Sequence, residues 1–249
     1  MNVPGALVSL ARFAGEPQRA LCILAEGNVS CSSGLDNFWI KASGKQMCDA
    51  CEDSFCEVAI AALINALDRG DLDESSTRQL LNDSIVTPGN DSLPSTESFM
   101  HALLLAEASA DFVVHTHPIP MLKLLCLEDA EKYAACRLFP DEIVYCGPAA
   151  CYVPYVAPGL PLAREIRKRI RAFSKKYGEQ PRTIWLQNHG LIALGKTDSL
   201  AKAATEMAVK AAEILQGVLA TGKAPKFLSN DEISQIQNWP DEHYRRNLL

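Results

Sequence analysis

The chain has 249 residues, 48% of them apolar and 22% charged, a balance that excludes a disordered or fibrous polymer and calls for a sizeable buried core. Its formal charge of -6 offers no general attraction to phosphodiester backbones or anionic lipid, so neither nucleic acid nor a membrane surface is an expected partner. No apolar run approaches the ~18 residues of a membrane span, and the opening MNVPGALVSLARFAGEP lacks the early basic run of a signal peptide, so a cytoplasmic location is expected.

Along the chain, apolar residues spaced by three and four predict helices over 4–13 and 17–25. Two short strands, 28–33 and 37–41, follow around a Ser-Ser-Gly-Leu-Asp turn. Residues 57–67 read as a helix stopping at Gly70, and 71–94 as a polar region with a short helix over 75–81 and a turn at Thr87-Pro88-Gly89-Asn90. A helix over 97–108 comes next, with Ser95 as its N-cap, and then a β-rich run, 112–116, stopped by Pro118. Helices are expected over 121–127 and 128–138, strands over 143–145 and 152–155, and a long helix over 160–177 whose basic residues form its solvated face. Strands over 183–187 and 191–194 flank Asn188-His189-Gly190, and an alanine-rich helix spans 199–218. The polar tail, 223–249, is expected to dock on a neighbouring subunit. No repeat or linker divides the chain, so one domain over 1–249 is expected, with a central mixed sheet covered by helices on both faces.

Nine cysteines, an odd number in a chain too large to need stapling, are expected to be reduced thiols. Cys48, Cys51 and Cys56 form a CxxC with a third cysteine, but no second CxxC completes a zinc ribbon, and their role stays open.

Five histidines occur, and two form His115-Thr116-His117 at the end of an apolar strand. Successive strand residues alternate faces, so these two imidazoles project the same way and can share one ion. A third, His189, stands before Gly190, where a sharp turn can aim the ring inward. Three neutral imidazoles with an open fourth position suit a catalytic zinc, whereas His-x-His alone more often marks ordinary half-buried histidines at a strand end.

Three small-residue segments carry the donors that an anion needs: Gly27-Asn28-Val29-Ser30, Ala42-Ser43-Gly44-Lys45 and Pro94-Ser95-Thr96-Glu97. Each alone is commonly plain turn chemistry. Glu97 opens a helix, where a carboxylate favours the helix dipole; facing a metal, it can instead ligate the ion and accept a proton. His101, four residues on along the same helical face, either orients Glu97 or packs.

Taken together, GNVS at 27–30, ASGK at 42–45, PSTE at 94–97 with His101, HTHP at 115–118 and NHGLIALG at 188–195 resemble the class II aldolase/adducin family over about 25–217. The resemblance implies a single three-layer α/β/α domain with a mixed, largely antiparallel sheet, assembled as a homotetramer. It implies zinc, or another divalent cation, held by His115, His117 and His189. In the fuculose-phosphate aldolase-like branch, the position of Glu97 is both metal ligand and catalytic acid/base, and Asn28, Ser43, Gly44, Ser95 and Thr96 match the phosphate-binding positions. The implied reaction has zinc chelating the hydroxy-ketone oxygens of a small anionic, sugar-like ketose phosphate, with aldol cleavage releasing an aldehyde and a zinc-stabilised enediolate. Related epimerases carry Asp where this chain has Glu97, which favours the aldolase branch. Epimerase, dehydratase or decarboxylase chemistry at the same metal, and a non-catalytic adducin-like oligomerisation module, are the alternatives. The family's proton-donating tyrosines from a neighbouring subunit have two candidates here, Tyr133 and Tyr244. Residues 46–91 depart from the pattern of characterised sugar-phosphate aldolases, which leaves the substrate's identity open.

Overall fold

The computed structural model describes residues 3–70, 72–87, 92–241 and 244; the turn expected at 87–90 lies, apart from Thr87, outside them. Among the described residues seven strands form one sheet: β1 (Asn28–Ser33), β2 (Asn37–Lys41), β3 (Phe55–Ala59), β4 (Phe112–Thr116), β5 (Cys151–Val153), β6 (Thr183–Leu186) and β7 (Gly190–Gly195). Their order is β3-β2-β1-β4-β7-β6-β5, antiparallel throughout except for the parallel β5–β6 pair.

The helices among the described residues are α1 (Gly5–Gly15), α2 (Ile60–Leu67), α3 (Glu74–Asp83), α4 (Ser98–Glu107), α5 (Ile119–Leu125), α6 (Ala130–Ala134), α7 (Pro140–Cys146), α8 (Leu160–Tyr177), α9 (Asp198–Ala220) and α10 (Asn230–Gln237). None is long and apolar enough to cross a membrane.

Alternation along the strands sorts side chains onto two cores. Phe38, Ile40, Val113, Ile192 and Leu194 face one way and pack with Leu63 of α2, Leu103 of α4 and Ile166 and Ile170 of α8. Val29, Cys31, Trp39, Val114 and Ala193 face the other way, against Leu7 and Leu10 of α1 and Ala201 and Ala204 of α9. The result is the three-layer α/β/α arrangement with a mixed, largely antiparallel sheet, each fully buried Leu or Ile contributing about 1.5–3 kcal/mol. Helix α8 shows the local logic: Leu162, Ile166, Ile170 and Phe173 are buried at helical spacing, and Gly178 ends the helix at φ 73. Helix α4 is buried at every position from Ser98 to Leu105, because it lies on the sheet beneath α2 and α8.

Several local expectations are overturned. The stretch 17–25 is a single 3-10 turn, Pro17–Arg19, followed by left-handed Ala20 and Leu24, which end helical propagation. Residues 57–67 divide into the end of strand β3 and the helix α2, since the edge-strand pairing of Phe55–Ala59 with β2 outcompetes helix propensity. Residues 143–145 belong to α7: Pro140 opens this helix and Gly147, at φ 80, closes it, so the β-branched Ile-Val pair sits in a helix. Ser95 is not the N-cap of α4; its Oγ accepts the Glu97 N–H at 3.3 Å in the turn before the helix, which begins at Ser98. Separately from these differences, the described part of the tail carries α10, which contacts α7 of its own chain and buries Ile233.

Candidate metal centre and anion loops

The pairing of β1, β4 and β7 builds the site. Antiparallel register sets Asn28 beside His115, and His115 beside Ile192. Because Val29, Cys31 and Val114 turn toward α1 and α9, Asn28, Ser30 and His115 turn toward α4, the helix whose first residues follow Glu97. The β6–β7 hairpin supplies the third ring. Its tip holds Asn188 at φ 53, and the His189 N–H donates to the Leu186 carbonyl at 3.1 Å.

The three imidazoles converge. Ring centroids lie 4.7 Å apart for His115 and His117, 4.9 Å for His115 and His189, and 5.2 Å for His117 and His189. One ligand atom from each lies within 4.8 Å of the others. Gly190 makes this convergence sterically possible: a Cβ there would sit 2.6 Å from the Thr116 carbonyl oxygen and 2.7 Å from His117 Cδ2. Gly27, at φ 68, similarly lets the β1 backbone approach, since its Cβ would meet the His115 carbonyl oxygen at 2.6 Å.

Hydrogen-bond partners assign the tautomers. A carbonyl only accepts, so His115 Nδ1 carries the hydrogen that it donates to the Leu191 carbonyl at 3.1 Å. His117 Nδ1 lies 3.3 Å from the Glu26 carboxylate, which also only accepts. The two Nε2 atoms therefore present lone pairs to each other across 3.0 Å, an arrangement that needs a cation or a proton between them. Burial and the neighbouring His115 and His189, outweighing Glu97, hold His117 down at about 3, so it is neutral and a competent ligand near pH 7. For His115, burial favours the neutral ring, but Glu97 and the Leu191 carbonyl outweigh it and raise the pKa. His189 Nδ1 is buried without a hydrogen-bond partner, so the group facing its Nε2 decides its tautomer.

Glu97 stands beside the trio. Its Oε1 lies 3.1 Å from His189 Nε2 and 3.5 Å from His115 Nε2, and its Oε2 accepts from Asn28 Nδ2 at 2.7 Å. Burial alone would push this carboxyl up, but His115 and His189 overcome it and hold it well below the usual range. Three nitrogens and a carboxylate oxygen, all aimed at one small volume, form a donor set suited to zinc.

Behind Glu97 runs a buried polar chain. Asn28 turns its amide nitrogen to Glu97 and, at 3.2 Å, to Ser95 Oγ, so its Oδ1 faces His101 and accepts from His101 Nε2 at 2.5 Å. His101 Nδ1 is then the acceptor for the Ser30 hydroxyl at 2.6 Å. This neutral tautomer agrees with the effect of burial and of His115 on His101, which outweigh Glu97 and bring it down to about 3. His101 is thus linked to Glu97 through Asn28 by hydrogen bonds.

The small-residue loops come together as well. Ser43 N–H donates to the Leu93 carbonyl at 2.9 Å, and Ala42 bridges to Pro94, bringing the Ser43-Gly44 turn beside Ser95 and Thr96. Buried Lys41 ties the second loop to the turn that precedes the first, its Nζ donating to the Lys45 carbonyl at 2.6 Å and the Ala25 carbonyl at 3.3 Å. A cavity of about 390 Å3 opens against Ser43 and Thr96, walled by Leu81, Leu93 and Leu160, with Arg78 also lining it.

The two tyrosines, whose expected role is toward a neighbouring subunit's site, have these surroundings within their own chain. Tyr133 is only 9% exposed, packed with Leu124, Leu215 and Phe227 beneath Lys132, and Tyr244 is 67% exposed near the end of the chain. Cys48, Cys51 and Cys56 stay apart from the imidazoles, bonding respectively to Gln46, to Ser54 and to the Ser92 carbonyl. Among the described residues, the histidine trio is the one group of three His, Cys, Asp or Glu side chains close enough to hold a metal. Glu26 and Lys41 are the residues that sequence reading passed over; their signal, a charged residue flanking a small-residue loop, is too common to single them out.

Comparison with known proteins places this architecture. No curated protein matches the chain. Among solved structures, L-fuculose 1-phosphate aldolase superposes with a TM-score of 0.69 at 18% identity, covering 94% of this chain and 95% of that one. The L-fuculose-1-phosphate aldolase from Thermus thermophilus gives 0.61 at 18% identity, over 90% of this chain and 100% of that one. YgbL from Escherichia coli, described as a candidate aldolase/epimerase/decarboxylase, gives 0.67 at 18% identity, over 93% and 96%. At these identities the likeness is one of fold. The family model for the class II aldolase and adducin N-terminal domain matches residues 6–216, and with the sheet and the histidine trio in the positions described, the chain belongs to that family.

Proposed function

We propose that this protein is a zinc-dependent lyase that cleaves a small phosphorylated ketose, or a related hydroxy-ketone, to an aldehyde and a second carbonyl product. The observation that carries this reading is the meeting of His115, His117, His189 and Glu97 in one place, with the small-residue loops at Ser43-Gly44 and Ser95-Thr96 close to each other.

His115, His117 and His189 would hold the ion, with Glu97 as a further ligand. A divalent cation bound there supplies Lewis acidity, drawing electron density from the substrate carbonyl. The chain's own residues do the rest. Ser43, Gly44, Ser95 and Thr96 would offer hydroxyls and backbone N–H groups to the phosphate, with Asn28, whose amide is engaged by Glu97 and Ser95, holding that side of the site in shape, and the cavity against Ser43 and Thr96 leaves room on the phosphate side. Glu97, ionised and held by Asn28, would accept the proton that the distal hydroxyl loses as the carbon–carbon bond breaks. Returning that proton to the carbon that keeps the bonding electrons balances the reaction and regenerates the carboxylate.

Incubating zinc-loaded protein with a panel of ketose phosphates tests this directly. An aldehyde should form from at least one, and Glu97→Gln should fold normally while slowing its formation by about a hundredfold or more. Products with an intact carbon skeleton by NMR would move the assignment to epimerase or dehydratase chemistry, and no conversion of any member would remove support for cleavage.

A further inference from the structure

In the turn that leads into β1, one carboxylate has different partners on its two oxygens. Glu26 Oε1 accepts the Ile23 N–H at 2.5 Å, while Oε2 lies 3.3 Å from His117 Nδ1. The Ile23 carbonyl accepts the Glu26 N–H at 3.3 Å and closes the turn. At its tip, Leu24 is held in the left-handed region at φ 58 with its side chain 79% exposed, so packing of that side chain does not maintain the conformation. The same turn grips His117 by its backbone, because the His117 N–H donates to the Leu21 carbonyl at 2.9 Å.

The consequence falls on His117. Of its two ring nitrogens, the one facing Glu26 must carry hydrogen, which leaves Nε2 as a lone pair aimed at the space shared with His115. A ligating imidazole whose remote N–H meets a carboxylate is fixed in tautomer and rotation and is a stronger donor than one bonded to water. His115 is oriented by the neutral Leu191 carbonyl instead, and His189 Nδ1 has no partner, so His117 is the trio member backed by a negative charge.

We infer that Glu26 is a positioning residue for metal binding: it acts through His117, holding that ring in the ligating tautomer, and touches neither ion nor substrate. The inference rests on the reading of the trio as a divalent-cation site.

Full-length wild type, Glu26→Gln and Glu26→Ala separate the possibilities with two readouts that need no substrate. Zinc affinity is measured by competition with a chromogenic chelator, and imidazole tautomers in the metal-free protein by long-range 15N–1H NMR. Wild type should show His117 in the Nδ1–H form. Glu26→Ala should lose that single tautomer and bind zinc about tenfold to a hundredfold more weakly, while Glu26→Gln, whose carbonyl still accepts, keeps the tautomer and falls between. Should Glu26→Ala fail to fold, the graded loss in Glu26→Gln carries the test. Equal zinc affinity and an unchanged His117 tautomer in the variants would overturn this inference alone; a wild type that binds no divalent cation would overturn it together with the reading on which it rests.

Discussion

Strands β1 and β4 present two surfaces built from alternate residues of the same backbone. On one, Val29, Cys31 and Val114 pack against α1 and α9 in a purely apolar layer. On the other, Asn28, Ser30 and His115 meet Glu97, Ser95 and His101 in a buried chain of hydrogen bonds. The first surface is close-packed and stabilises the fold; the second keeps charge and lone pairs out of water, at a cost that only the completed network offsets. One register serves both, because a residue and its neighbour along a strand belong to different layers.

Substitutions on each surface should therefore separate stability from binding. Near neutral pH the largest effect is expected on the apolar side: Leu10→Ala, at a fully buried position, should cost about 2–5 kcal/mol in urea unfolding while zinc stoichiometry stays as in wild type. Loss of zinc in that variant would mean that the two surfaces are not separable.

On the polar side the expected effect is absent near neutral pH and emerges as a slope on acidification. The buried ring of His101 has its pKa at about 3 in the fold, against roughly 6.5 for a free imidazole. The unfolded chain thus binds a proton that the folded one refuses, so stability is complete above about pH 6.5 and declines by about 1.4 kcal/mol per unit as the pH falls toward 3. His101→Gln removes this contribution. Its unfolding free energy should fall less steeply than that of wild type over this window, and parallel slopes would show that His101 is not a buried neutral group.

How far the chain can be read without its fold follows the same division. Strands β1, β2 and β4 and helix α8 were legible because their apolar residues keep the period of one element between clear punctuation, as in the run that Gly178 ends. Strand β3 was not, since Phe55–Ala59 runs without a turn into the apolar helix α2 and the join carries no Gly or Pro. The Ile143-Val144 pair misled for the opposite reason: residues that favour strands lie within a short helix set by Pro140 and Gly147. At the site, the His115-Thr116-His117 spacing and the small-residue loops were legible as chemistry, and the family resemblance supplied their meeting point. The support behind them was not. Glu26, the Leu191 carbonyl and the orientation of Asn28 depend on a turn folding back and on cross-strand register, neither of which leaves a local pattern.

The claim on which the rest depends is that three imidazoles from two separate parts of the chain share one ion. X-ray absorption at the zinc edge of the loaded, full-length protein tests it most directly. The account predicts a first shell of nitrogen and oxygen at about 2.0–2.1 Å with the outer-shell scattering of three imidazole rings. A sulfur shell near about 2.3 Å, as cysteine ligation would give, or scattering from fewer than three rings, would contradict it.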